Sequence, residues 1–519
     1  MGEGAVQFYF SSDFLDVTSP FVLRRTSEAG LRLLQSHGWL DGFLPSCTLE
    51  AAAAKYNPKD RRTWPCFVPR HGVFFVDRYG TQLPAKPMHV PLERLRRPQA
   101  QQPRLSVVIV RWGGEKRIDE DTSDEDLFRQ GGWGLFGSPP CDWYISGMVN
   151  SCTGLHSENS LLKDCLIGFD GEFLSIFVGS TEDVHNLAKE APALSEELAG
   201  VKRTSFWMLW PADWEADWKD EHYAGFIERR SLFTAMRSFE SAGTPASFPH
   251  PASLYEFITS KMWMATFSPQ PEVRLPAAVL VKREDVVADA HLAAASVLND
   301  LNKIRRATCF AACGGPSWVN RQGVQKGVVK IGWSWEAKYV WPWTGVVELA
   351  NCLSGMMSLP GCLAEFCIVQ EWVDFDFELR LFYFPPRNWS PSVPLRALHH
   401  AYTAWDNDSP DFGRRTFRIL STEECVHAWM GDRAALEIAY TQAEETAQFL
   451  IARLMDVHPE PVPFMRLDFM LRRLGPASVQ VAFGEYCETG ACCIQWNGGP
   501  PMVWRAVLEH ALHSGEEDR

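Results

Sequence analysis

Met465-Arg466-Leu467-Asp468-Phe469-Met470-Leu471 is followed by Val479-Gln480-Val481-Ala482-Phe483-Gly484-Glu485, two apolar runs separated by a turn signal at Gly475-Pro476. Their composition predicts adjacent β-strands. Asp468 and Glu485 each interrupt an apolar strand, and pairing brings them side by side. Acids inside apolar strands are seldom only structural, because burial without a partner is costly. Two neighbouring carboxylates repel unless a cation bridges them, so a metal site is favoured over a structural role.

Upstream lies Asp374-Phe375-Asp376-Phe377-Glu378-Leu379-Arg380. Period-two alternation puts Asp376, Glu378 and Arg380 on one strand face and Phe377 and Leu379 on the other. Such a face serves as a surface ladder, or it binds a hydroxyl and a phosphate, for which the planar arginine fork is suited. Before it comes Phe366-Cys367-Ile368-Val369-Gln370-Glu371-Trp372-Val373. An apolar strand ending in exposed backbone can offer amide and carbonyl groups to a flat base, although an ordinary buried strand end has the same pattern. Gly327-Val328-Val329-Lys330 precedes IGWSWEAKYVW, which carries a second lysine, Lys338. Together they can hold phosphate oxygens; alone, Lys330 reads as the solvated end of a strand, since no glycine-rich phosphate loop surrounds it.

Working outward, strands are expected at Leu275–Lys282, Val324–Lys330, Glu365–Val373, Glu378–Phe384, Phe464–Leu471 and Ser478–Glu485. Helices are expected at Phe226–Ser241, Ser253–Met264 (carrying Lys261), Ala288–Leu301 and Thr441–Met455. This order is an α+β arrangement with antiparallel strands, preceded by a mixed α/β N-terminal region. In that region Val6–Phe10, Gly72–Asp77 and Leu105–Arg111 read as strands, and Cys165–Gly179 as a hairpin turning at Asp170-Gly171. Glu115–Glu125 reads as an acidic loop, Glu182–Leu198 as a helix and Thr204–Trp210 as extended.

The 519 residues exceed what one core accommodates. A 46% hydrophobic share, 21 Trp and 32 Phe exclude a disordered chain, and a net charge of −14 argues against a nucleic-acid-binding surface as the main role. The N-terminus lacks a basic segment and an apolar run, Val6 stands where myristoylation wants Ser or Thr, and no stretch of about 18 apolar residues occurs. The expectation is a cytoplasmic protein without a membrane span. The 14 cysteines then read as free thiols; Cys309 with Cys313, and Cys487 with Cys492 and Cys493, lack the spacing of a zinc knuckle.

Taken in order, the four stretches resemble the ATP-grasp superfamily: a strand-borne lysine, a hinge strand, an acid-x-Arg strand, and an R-x-D strand paired with one ending in Glu. The resemblance implies an ATP-grasp-like C-terminal half that binds ATP and Mg2+. Lys330 then corresponds to the phosphate lysine and Lys261 to the lysine that often precedes it. Gln370, Glu371 and Val373 would lie at the adenine, Glu378 at the ribose and Arg380 at a terminal phosphate. Arg466 would be catalytic with Arg380, and Asp468 and Glu485 would hold magnesium. The implied division is an N-terminal region of unassigned role at 1–200, a preceding segment with the start of the nucleotide lobe at 201–285, and the catalytic domain at 286–519. DFDFELRLFYF also resembles the D123 family, ATP-grasp-like proteins that assist assembly of a translation initiation factor.

Two departures stand out. The family has Asn two residues after the metal-binding Glu, where this chain has Cys487, so Glu488 is expected to supply the oxygen or the second metal position is impaired. The loop after Lys330 is richer in Trp and poorer in Gly than the family's phosphate lid. What the resemblance implies is an ATP-dependent ligase joining a carboxylate to an amine or thiol of an unidentified acceptor. The alternatives are an ATP-binding assembly chaperone with a protein partner, or a scaffold without catalysis.

Overall fold

The computed structural model describes residues 7–10, 63–68, 72–77, 105–112, 171–178, 180–197, 202–215, 225–308, 323–334, 339–405, 417–490, 496 and 499–514. Two compact units divide the chain: Met1–Pro211 with Asp217–Ala252 and Thr489–Arg519, and Ala212–Ala216 with Ser253–Glu488. Among the described residues, no helix is long and apolar enough to cross a membrane.

The first unit holds β1 (Gln7–Phe10), β2 (Thr63–Val68), β3 (Gly72–Asp77), β4 (Leu105–Trp112), β5 (Gly171–Val178), β6 (Arg203–Met208), β7 (Trp210–Ala212), β8 (Phe226–Glu228) and β9 (Ala246–Phe248). Seven of them form one sheet in the order β3-β2-β1-β5-β4-β6-β9. β4 runs parallel to β5 and β6, whereas β1 is antiparallel to β2 and β5, giving the expected mixed α/β character. Helix Arg229–Ser241 starts where the Glu228 carboxylate accepts from the backbone N–H groups of Arg230 and Ser231. It stops before Gly243, whose φ of +83° only glycine adopts without strain. Phe226–Glu228, expected to belong to this helix, is strand β8; the capping carboxylate marks the true start. The first arm of the expected Cys165–Gly179 hairpin, the acidic 115–125 run, Lys338, Cys309, Cys313, Cys492 and Cys493 lie outside the described residues.

The second unit carries β10 (Ala278–Lys282), β11 (Lys326–Lys330), β12 (Val340–Thr344), β13 (Phe366–Glu371), β14 (Phe377–Tyr383), β15 (His399–Trp405), β16 (Phe417–Leu420), β17 (Met465–Gly475) and β18 (Ser478–Cys487). They build two antiparallel sheets, β10-β13-β11-β12 and β16-β15-β14-β17-β18. This is the α+β architecture with antiparallel sheets that the sequence predicts.

Helices Ala290–Thr308 and Gly345–Met357 cover one face of the four-stranded sheet, burying Leu301, Leu349 and Leu353 with Val329 and Val369. Helix Arg433–Leu454 covers one face of β17 and β18. Its buried Ala439, Ala443 and Ala447 let the backbone approach the sheet, and the Tyr486 hydroxyl donates to the Leu450 carbonyl at 2.9 Å. The helix begins at Arg433, earlier than the expected Thr441, because the Asp432 carboxylate caps Ala435 N. The expected helix Ser253–Met264 breaks in two. Ala252–Ser260 and Trp263–Phe267 are separated by Lys261, held at φ +59°. A left-handed lysine is an uncommon backbone state, and nothing in the local sequence signals it.

Candidate functional site

The face of the five-stranded sheet turned away from helix Arg433–Leu454 is set by register. Arg380 on β14 stands opposite Asp468 on β17, which stands opposite Glu485 on β18. A β-bulge at Gly484 makes this possible. Asp468 pairs with Glu485, but the next residue, Phe469, pairs with Phe483. Phe483 and Tyr486 therefore contact the helix side, while Ala482, Glu485 and Cys487 share the site face. Were Gly484 paired as an ordinary strand residue, Glu485 would share the helix face with Phe483, since side chains alternate along a strand. Glycine eases the close approach, since a Cβ at Gly484 would lie 3.1 Å from the Asp468 carbonyl oxygen.

Arg466 grips Asp468 through two parallel bonds, Nε to Oδ1 at 2.9 Å and Nη2 to Oδ2 at 3.0 Å. Arg380 Nη1 lies 3.5 Å from the same Oδ2. Burial alone would push the Asp468 carboxyl up, but Arg466 and Arg380 outweigh it and hold it below the usual carboxylate range. Arg380 also donates to Glu378 Oε2 at 2.9 Å and to the Thr403 hydroxyl at 3.2 Å. The result is one continuous charged network running across β15, β14, β17 and β18. Thr403 was not anticipated; a threonine in a strand carries no sign of the carboxylate and guanidinium it steadies.

Asp376 is a correction. Alternation placed it beside Glu378 and Arg380, yet β14 begins only at Phe377. Asp376 instead accepts from the Trp429 indole at 2.9 Å and from Arg473 N at 2.8 Å, tying the strand entrance to neighbouring segments.

On the four-stranded sheet, Lys330 and Gln370 are diagonal neighbours across β11 and β13, and Lys330 Nζ donates to Gln370 Oε1 at 2.8 Å. Burial is the main cause that brings Lys330 down to about 7; Lys261 adds repulsion and Glu485 partly offsets it. Lys261 Nζ donates to the Ser334 carbonyl at 2.7 Å and stands 3.5 Å from Glu485 Oε1. The segment after β11 is anchored beside it: Trp333 N donates to Thr259 O at 2.8 Å, and a Cβ at Gly332 would collide with the Ser260 carbonyl. Lys261, Lys330 and Glu485 thus converge, whereas Lys338 lies outside the described residues.

The hinge residues are separated. Gln370 points to Lys330, but the Glu371 carboxylate turns to the opposite face and meets Arg305 Nη1 at 3.2 Å, both side chains being buried. Burial raises the Glu371 carboxyl although Arg305 lowers it. The backbone expected to be free is partly used, because Glu371 N donates to Ala277 O and Trp372 N to Lys326 O. Val373 packs against Ala482 and Met470, forming an apolar floor at the edge of the site face. Arg305 comes from a distant helix, so no local motif could have paired it with Glu371.

Asp468, Glu485 and Cys487 each present a ligand atom, and these atoms all lie within 4.8 Å of one another. Asp468 and Cys487 are buried and the Glu485 side chain is 44% exposed, which leaves an open side toward solvent. Asp468 Oδ1 accepts one bond, from Arg466 Nε, and keeps a lone pair, so it and the half-exposed Glu485 carboxylate, with substrate oxygens, suit a divalent cation. Glu488, expected as the third oxygen, follows Cys487 and lies outside this group. It is buried, and burial with the nearby Glu485 raises its carboxyl despite Arg466 and Lys261. Strand alternation turns Cys487, two residues beyond Glu485, onto the site face instead.

No family model matches the sequence, and no curated protein matches it. Among solved structures the chain is similar to D-alanine–D-alanine ligase from Bacillus anthracis, at 11% identity over 79% of this chain and 97% of that one, with a TM-score of 0.39. It is similar to D-cycloserine synthetase DcsG at 13% identity over 78% and 99%, TM-score 0.38. A third is N5-carboxyaminoimidazole ribonucleotide synthetase from Thermus thermophilus, at 14% identity over 73% and 70%, TM-score 0.35.

Proposed function

We propose that the second unit binds ATP with magnesium and acts as a ligase that joins a carboxylate to an amine or thiol. The observation that carries this reading is the convergence of opposite charges: Arg380, Asp468 and Glu485 in one register row, with Lys261 and Lys330 gathered at Glu485. Val373, Met470 and Ala482 offer apolar surface for the base, Glu378 a carboxylate for the ribose, and the two lysines cations for phosphate oxygens. Gln370 steadies Lys330, and the Glu371 side chain supports the hinge strand from behind through Arg305.

In the reaction, the acceptor carboxylate attacks the γ-phosphorus, the bond to the β-phosphate oxygen breaks, and ADP leaves. The acylphosphate is then captured by the amine or thiol, releasing inorganic phosphate. Arg380 and Arg466 neutralise charge on the transferred group. A magnesium ion held by Asp468 and Glu485 would polarise the phosphate oxygens. Incubation with ATP, magnesium and a metabolite or peptide library, read as ADP release, tests the reading. Absence of any ATP-induced rise in melting temperature at millimolar nucleotide would overturn it.

One observation favours a second reading. Cys487, a poor magnesium ligand, occupies the third position of the cluster. An ATP-binding assembly chaperone resembling the D123 family would bind nucleotide, release ADP only at background rate, and recover a stable protein partner in a pull-down.

A further inference from the structure

The carboxylate pair is completed by sulfur. Cys487 stands two residues beyond Glu485 on the site face, and its Sγ belongs to the same group of ligand atoms as the two carboxylates. The thiol is also oriented. Arg466 Nη2 donates to Sγ at 2.9 Å, and Sγ donates to Asp468 Oδ2 at 3.6 Å. A cysteine that only filled space would need no such bonds, and Cys487 is a free thiol with no disulfide role.

We infer that this site selects a sulfur-accepting divalent cation, Zn2+ or Co2+, over Mg2+. The inference rests on the proposed use of Asp468 and Glu485 as metal carboxylates and puts a sulfur-accepting cation in place of the magnesium of that reading. Mg2+ demands near-octahedral oxygen coordination and gains nothing from a thiol. Borderline cations accept imidazole, carboxylate and thiolate together, and a thiol bound to such a cation gives up its proton to solvent. Two carboxylates and a thiolate then carry three negative charges, balanced by the cation with Arg466 bonded to both Asp468 and Cys487. The half-exposed Glu485 carboxylate is the side by which the cation enters, and the buried Asp468 and Cys487 close around it.

Cobalt makes the sulfur visible. The full chain, stripped of metal by a chelator, is titrated with Co2+ while near-ultraviolet absorbance is recorded. The expected result is a thiolate-to-cobalt charge-transfer band in the unaltered protein. Cys487→Ser loses that band, yet Arg466 can still donate to the serine oxygen, and circular dichroism checks the fold. Cys352→Ser, at a cysteine remote in sequence from the site, keeps the band, and Glu485→Gln weakens Co2+ binding without needing a core to repack. In competition, Zn2+ displaces Mg2+ from the unaltered protein, and Cys487→Asn narrows that advantage. A missing band, or one that survives in Cys487→Ser, overturns the inference. ATP binding is measured on the same samples by thermal shift. ATP binding without a cobalt band sinks the cation preference and leaves the nucleotide reading standing; a cobalt band without ATP binding does the reverse.

Discussion

The two sheets of the second unit handle buried charge in opposite ways. In the five-stranded sheet each charge has an opposite partner: Asp468 lies between Arg466 and Arg380, and Arg380 also holds Glu378. In the four-stranded sheet Lys330 is bonded to a neutral amide and is brought down to about 7 mainly by burial, with repulsion from Lys261 added. One sheet is electrostatically complete without a ligand; the other is short of negative charge. A bound polyphosphate would supply what the second lacks while leaving the first in place. The arginine and acid face therefore reads as a preorganised template, and the lysine pair as the element whose state changes on binding.

The largest effect that would break this contrast comes from Asp468→Ala. It removes the carboxylate between two buried guanidiniums, and losing one partner of such a pair costs about 3–5 kcal/mol. Urea denaturation should show that loss, together with loss of any ATP-induced stabilisation. A cost under about 1 kcal/mol would mean the arginines find other partners, and that the sheet is not preorganised by this acid. The pH sign follows from the lowered carboxyl: its stabilising contribution is present above the ordinary Asp value and is lost as pH falls through the folded one.

Lys330→Met should act in the opposite direction on the ligand-free protein. Between pH of about 7 and its ordinary value, the unfolded chain holds a proton on Lys330 that the folded chain does not. Stability contributed by this group therefore rises with pH through that window. The variant should be more stable than the parent near pH 6–7, with the gap closing toward pH 10, and ATP should no longer raise its melting temperature. The parent should take up protons on binding ATP at pH 8, read by calorimetry in buffers of different ionisation heat. A gap that does not change with pH would remove the electrostatic difference between the sheets.

Much of this contrast was legible in the sequence and some was not. Apolar runs and their alternation located all five site strands, β11, β13, β14, β17 and β18, and the Gly475-Pro476 turn located the β17–β18 pairing, because burial of one face fixes a strand's register. The departures are of another kind. Arg305 reaches Glu371 from a helix distant in sequence, Thr403 steadies Arg380 from β15, and Lys261 sits in a left-handed break. Each depends on tertiary placement, which local patterns do not encode. Glu371→Gln sharpens the point. Burial and its Arg305 partner make the change cost about 1–3 kcal/mol, yet the ATP-induced thermal shift should survive, because the carboxylate faces away from Gln370. Loss of the shift at unchanged stability would return Glu371 to the base.

The smallest expected effect concerns Gly484. It stands unpaired in the bulge of β18, which lets Glu485 face Asp468 while Phe483, two residues earlier, faces the covering helix. In Gly484→Ala the new Cβ would stand 3.1 Å from the Asp468 carbonyl oxygen, so the backbone must yield by a few tenths of an ångström. A tight contact of this kind costs about 1 kcal/mol. The strain falls between the two carboxylates and leaves the Lys330–Gln370 bond on the other sheet untouched. The variant should therefore keep the parent's pH-dependent stability near pH 7 while binding divalent cation more weakly. Deleting Gly484 is the control, since Phe483 and Glu485 then become consecutive residues of a regular strand and Glu485 stays opposite Asp468. Cation binding should therefore be kept, measured by calorimetry, with the Lys330 titration retained. Loss of cation binding in the deletion variant would mean that the bulge does more than set the face of Glu485.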